Sequence, residues 1–191
     1  MKTFHTIDVI SEIIQKNPQI KEINLAVYKY IPQTLTDKGR LKIHKIKCDK
    51  SIDIKNKILS AKIPEGWRLG LTSKVKMKDN SYKHIPQIDF ECFISNKNLN
   101  EIKRKLSKIV KIFPGYIINS GASYHYVGLK LLGEKQWQKF IGLCLLCKDP
   151  KKKSIVDSRW CGHQLVSDYS NLRILACDSR PEPRVIAFIK K

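Results

Sequence analysis

Three short segments carry side chains whose types and spacing can do chemistry. In Asp89-Phe90-Glu91 the carboxylates stand at i and i+2, so in a strand they share one face about 7 Å apart while Phe90 turns to the other. Two carboxylates placed this way repel unless a cation lies between them, and hard oxygen ligands suit Mg²⁺ or Mn²⁺. A solvated strand face carries the same alternation. In Ser120-Gly-Ala-Ser-Tyr-His-Tyr126 a tight Gly turn is followed by Ser123 and His125, again on one face. Hydroxyl and imidazole groups beside turn N–H groups suit phosphate oxygens; an ordinary hairpin with its His bonded to a carbonyl has the same sequence. Asp157 follows the apolar pair Ile155-Val156 and is either a third metal carboxylate or a helix or turn cap. Arg173, in Tyr169-Ser-Asn-Leu-Arg-Ile174, offers the guanidinium geometry that suits bidentate phosphate contact, or else a surface ion pair.

The elements that must position these groups follow from periodicity. Ile7, Ile10, Ile13 and Ile14 mark a short first helix, followed by a strand at Ile23–Tyr30. Residues 31–64 are basic and weakly patterned, with a short helix over 52–60. Residues 67–75 read as a strand, and a Lys-Asp-Asn-Ser turn leads to a second strand ending in Ile88–Phe93, which predicts an antiparallel hairpin. Leu99, Ile102, Leu106, Ile109, Val110 and Phe113 keep helical spacing up to Pro114-Gly115. Strands at 116–119 and 124–131 come next, and Trp137, Phe140, Ile141, Cys144 and Leu145 form another helical stripe. The loop Asp149–Lys153 separates that stripe from strands at 154–156, 172–176 and 184–189, with a short helix near 160–168. The expected fold class is α+β, with helices laid on an antiparallel sheet. A soft boundary near residue 64 separates an N-terminal αβ lobe, 1–64, from a sheet-based lobe, 65–191, within one integrated domain.

In their joint order these segments resemble the archaeo-eukaryotic primase superfamily, and most closely its primase-polymerase branch. Its Asp-x-Asp/Glu pair is matched by Asp89 and Glu91, its Ser-x-His by Ser123 and His125, and its later acid after apolar residues by Asp157. Ile85-Pro86 ahead of the acidic pair, and Tyr169–Ile174 after the last acid, resemble the family over roughly residues 65–190. The resemblance implies an RRM-like antiparallel sheet with helices on one face, an N-terminal αβ lobe, and an active site in the cleft between them. It implies two-metal nucleotidyl transfer, with Asp89, Glu91 and Asp157 holding two Mg²⁺ or Mn²⁺ ions. Ser123 and His125 would hold triphosphate oxygens and Arg173 would neutralise developing charge; Arg68, Lys74 or Lys76 would assist. The partners implied are a single-stranded DNA or RNA template with its primer, dNTP or NTP, and a helicase or accessory priming subunit.

The charge balance fits such partners. In 191 residues, 37 Lys and Arg against 17 Asp and Glu leave a net +20, which favours polyanions through counterion release. No apolar run reaches the ~18–20 residues of a membrane span, and no secretory signal is visible. Six irregularly spaced cysteines fit a reducing cytoplasm. Cys144-x-x-Cys147 with Cys161 and His163 supplies four zinc-ligand types, but Cys144 falls on an apolar helical stripe, so these residues read as core and zinc is not expected. One alternative function is a non-catalytic single-strand-binding module with an RRM-like sheet, using Phe90, Tyr124 and Tyr126 as stacking rings. A nuclease of the His-x-His type is unsupported, since no two of the five histidines are spaced that way.

Overall fold

The computed structural model describes residues 4–29, 31, 41–48, 51–111, 114–147, 154–177 and 180–190. Tyr30 and Phe113 as ends of their elements, the basic stretch 32–40 and the loop 149–153 fall outside them. Among these residues five helices alternate with ten strands: α1 (Thr6–Lys16), β1 (Ile20–Tyr28), β2 (Leu41–Lys47), α2 (Ser51–Leu59), β3 (Arg68–Thr72), β4 (Lys74–Met77), β5 (Tyr82–His84), β6 (Gln87–Asp89), α3 (Asn96–Lys105), β7 (Gly115–Asn119), β8 (Tyr124–Gly128), α4 (Glu134–Leu145), α5 (Ser158–Ser167), β9 (Asn171–Arg173) and β10 (Arg184–Ile189). α3 runs on into a π-helical turn, Leu106–Val110, closed by Lys111 in the left-handed region. Among these residues no helix is long and apolar enough to cross a membrane. The class is α+β, and every strand pair in the two sheets is antiparallel.

The first sheet is centred on β1. One edge of β1 pairs with β2, and the other pairs with β3 over residues 25–28 and with β4 over residues 20–22. β9 and β5 lie beyond β3 and β4 respectively. Strands from both sides of residue 64 therefore share one ladder. The single strand expected over 67–75 is interrupted at the buried Ser73, whose backbone leaves β1 to bond Ser170 O (2.7 Å) and Ile85 N (2.8 Å). Its hydroxyl faces His84 Nδ1 at 3.2 Å and accepts from Ser170 N at 2.8 Å, so the break leaves no buried polar group unpaired there. His84 in turn meets Glu134 at 2.9 Å and stacks on Trp137, which ties β5 to α4.

The second strand of the expected hairpin also divides. Pro86 cannot donate to a ladder, and the chain changes sheets there. β5 stays with β4, whereas β6 joins the second sheet, of order β10-β7-β8-β6. Beyond β6, the stretch expected as a strand at 154–156 is reduced to an antiparallel bridge between Phe90 and Val156. β2, within the stretch read as weakly patterned, escaped the sequence reading because its side chains are exposed on both faces and only Ile46 is buried. β1 begins three residues earlier than expected.

Residue parity divides the second sheet between two cores. Ile88, Phe90, Ile117, Tyr124 and Tyr126 face Ile102 and Leu106 on one side of the molecule and Trp137, Phe140 and Ile141 of α4. Ile118 and Val127 point the other way, into the core built on α1, α2 and the first sheet. That second face has the parity of Asp89 and His125. Close approach within the first core leaves no room at Gly115, where an added Cβ would sit 2.5 Å from the ring of the fully buried Tyr126. Gly115→Ala is therefore expected to destabilise the fold by about 1–3 kcal/mol, seen as a lower urea midpoint with unchanged slope. A midpoint equal to that of the parent would show that the ring can move aside.

Candidate functional site

Sheet register brings five of the six candidate residues into two adjacent rows. Asp89 stands directly opposite His125 on β8. On its other side Asp157 N donates to Asp89 O at 3.1 Å, and Glu91 N donates to Ile155 O at 2.9 Å. His125, Asp89 and Asp157 thus lie across three neighbouring strand segments with side chains on one face. Ser123 and Glu91 occupy the next row, two residues along each strand.

The carboxylates oppose one another. Asp89 keeps 31% of its side-chain surface, yet its pKa is pushed up to about 7, first by burial and then by the charge of Asp157, with Glu91 adding to the rise. Arg180 and Arg173 pull in the other direction. Asp157 divides its work: one oxygen accepts from Trp160 N at 2.8 Å and caps α5, so the cap reading holds alongside its place next to Asp89. His125 is almost fully buried, and burial together with Arg173 and Arg180 pushes its pKa down to about 3. It is neutral at physiological pH, so its 3.6 Å approach to Asp89 is not an ion pair.

Ser123 and Arg173 are already engaged. The Ser123 hydroxyl donates to Phe90 O and accepts from Cys92 N, which fastens the chain beyond β6 to β8. Arg173 is 5% exposed. Its guanidinium donates to the carbonyls of Ser120, Leu175 and Pro181, joining the β7–β8 turn to the segments on either side of the Cys177–Arg180 bridge. In this arrangement neither group presents itself to a ligand in the way expected of it.

Two neighbours were not anticipated. Arg180 is exposed and pairs with Cys177 through two 3.0 Å backbone bonds; its charge reaches both Asp89 and His125. The only sequence sign was an Arg heading the turn-like run Arg180-Pro-Glu-Pro183. Tyr28 ends β1 opposite Arg68, and burial pushes its hydroxyl up to about 12, with Asp89 and Arg173 among the charges it feels. Of the three assisting cations considered, Arg68 neighbours Tyr28 and Arg173, whereas Lys74 lies over the ring of Tyr82.

The hard oxygens of Asp89, Asp157 and Glu91 are the right donors for a divalent cation, and the raised pKa of Asp89 is the electrostatic cost that such a cation would remove. Among the described residues no three His, Cys, Asp or Glu side chains form a ready-made cage, so other oxygens must complete any coordination shell. Cys144, Cys147 and Cys161 are buried in the apolar core beside α4, where burial raises the Cys144 and Cys161 thiols. Phe90, Tyr124 and Tyr126, the stacking rings of the non-catalytic alternative, are buried under α3 and α4 because their parity is opposite to that of Asp89. That use of them is excluded.

A family model described as archaeo-eukaryotic primase 1D-like matches residues 50–185, which include every residue of this site except Tyr28. No curated protein and no solved structure matches the chain.

Proposed function

The chain belongs to the archaeo-eukaryotic primase 1D-like family, and from that membership we propose that it is a template-dependent nucleotidyltransferase of the primase-polymerase type. It would extend, and in a suitable assembly initiate, DNA or RNA strands. The observation that carries this reading is the His125–Asp89–Asp157 row with Glu91 beside it, a set of mutually repelling carboxylates on a chain of net charge +20. The order β10-β7-β8-β6, with Val156 bridged to Phe90 beyond β6, supports reading this sheet as an RRM-like unit to which β10 adds an edge. In this reading the active site lies between this sheet and the first one, and the charges that Tyr28 shares with Asp89, Arg68 and Arg173 support it.

In this reading Asp89, Asp157 and Glu91 hold two Mg²⁺ or Mn²⁺ ions together with substrate phosphate oxygens. When bound, the ions make a 3′-hydroxyl more acidic and stabilise the pyrophosphate leaving group. Neutral His125 donates an N–H to a triphosphate oxygen without bringing a proton that the site must dispose of. Arg180 supplies an exposed guanidinium for charge that develops on the phosphates. Arg173 adds a buried positive charge, and Ser123 keeps Glu91 in register through Phe90 and Cys92. The basic surface holds template and primer by their phosphates without reading sequence. A helicase or accessory priming subunit would supply what strand initiation needs.

Primer extension on a single-stranded template with Mg²⁺ or Mn²⁺, comparing dNTP with NTP, tests this. The parent protein is expected to add nucleotides, and Asp89→Ala/Glu91→Ala to lose about a thousandfold or more of the rate. Extension that survives the double substitution would reject the site; no extension with either metal and either nucleotide would reject the activity.

A further inference from the structure

From the site outward, the most exposed large apolar side chain among the described residues is Phe93, at 87% of its surface, two residues beyond Glu91. We infer that Phe93 is a stacking platform for a nucleobase of the single strand held at the carboxylate site, an inference that rests on the strand-extension reading above. The loop that carries the ring is held at each step. Cys92 N donates to Ser123 Oγ, Ser95 N donates to Tyr124 Oη at 2.8 Å, and Tyr124 Oη donates back to Ser95 O at 3.0 Å. Asn98 Nδ2 donates to Phe93 O at 2.7 Å, and Ser95 Oγ caps α3 through Asn98 N. This local bonding holds the backbone that carries the ring, which has no aromatic partner among the described residues and keeps most of its surface open.

Its surroundings favour a base over a protein partner. A protein contact needs a contiguous apolar patch of a few hundred Å², whereas only Ile94, at 44%, adjoins Phe93 in the loop. One planar ring, with exposed Lys97 four residues on in a basic chain, offers the pair of contacts single strands use, stacking for the base and charge for the phosphate. Stacking on a ring accepts any base, which suits an enzyme that must follow whatever template it is given.

The test uses the full chain carrying Asp89→Ala, so that no turnover occurs, and a single-stranded oligonucleotide containing 2-aminopurine. Phe93→Ala and Phe93→Leu are expected to weaken binding roughly tenfold and to abolish quenching of the probe, while Phe93→Trp keeps both. Leu retains apolar bulk without a π face, so parent-like binding by Phe93→Leu would overturn the stacking role, as would equal losses in Leu and Trp. Unchanged affinity in Phe93→Ala would assign the ring to a protein contact instead. Primer extension by the unaltered chain separates the two proposals: extension with Phe93-independent binding sinks only the platform, and stacking without extension sinks only the enzyme.

Discussion

Asp89→Asn is expected to make the metal-free protein more stable at pH 8 while removing the strand extension proposed for it. The Asp89 carboxyl titrates at about 7 in the fold against an ordinary value of 3.8. The folded chain therefore holds the proton more tightly than the unfolded one between those values. Its contribution to stability is full below about pH 4 and is lost as pH rises through about 7. Asn carries no such penalty. Allowing for the part of the side chain that water screens, the gain at pH 8 is about 2 kcal/mol, or a rise in Tm of roughly 4–8 °C for a chain of this size. His125 tilts the other way. Its pKa is lowered to about 3 from 6.5, so its contribution is full above about 6.5 and is lost as pH falls toward 3.

The two slopes oppose each other between about pH 4 and 6.5, where the parent protein should have a nearly flat stability profile. Asp89→Asn should climb across the same range, because only the His125 limb is left. Added Mg²⁺ or Mn²⁺ should raise the Tm of the parent at pH 8 and leave the variant unmoved. Thermal unfolding between pH 4 and 8, in chelator and in metal, reads all of this. Parallel profiles for the two proteins would show that Asp89 does not carry the strain ascribed to it.

Arg173→Met is expected to destabilise the fold by about 3–5 kcal/mol, since it removes charge-assisted bonds to three carbonyls and leaves the acceptor of the buried Ser120 without its donor. Met preserves the length and apolar stem of the side chain, so loss of packing contributes little. The corresponding fall in Tm is about 10 °C or more. Arg173→Lys should recover only part of it, because a single ammonium group cannot span the carbonyls of Ser120, Leu175 and Pro181 as the planar fork does. The same substitution to Met would also let the His125 pKa rise and the Asp89 pKa climb further, since Arg173 acts on both. Urea unfolding of the three proteins measures the effect. A Met variant as stable as the parent would mean that the guanidinium is not a structural strut.

The elements with one dominant face were readable in advance. α1, α3 and α4 show their apolar stripes because each buries one side against a single core. The breaks were not readable, because their causes lie in distant residues. Ser73 can leave β1 only because Ser170 and His84 meet it. β6 can leave the β4–β5 hairpin only because β8 is there to receive it.

The site shows the same division. From the sequence by itself came the α+β class, the family resemblance, the excess of positive charge, and the i, i+2 spacing that puts Asp89 with Glu91 and Ser123 with His125 on common faces. Strand alternation is local, and so is the chemistry of a carboxylate or an imidazole. Only the tertiary structure decided that Asp157 lies beside Asp89, that Arg173 is consumed by three carbonyls, and that Arg180 stands near the carboxylates. It also decided that Phe90, Tyr124 and Tyr126 are covered while Phe93 is open. Each of those facts depends on which strand pairs with which and which face a helix covers, and pairing across tens of residues leaves no period in the chain for a reader to follow.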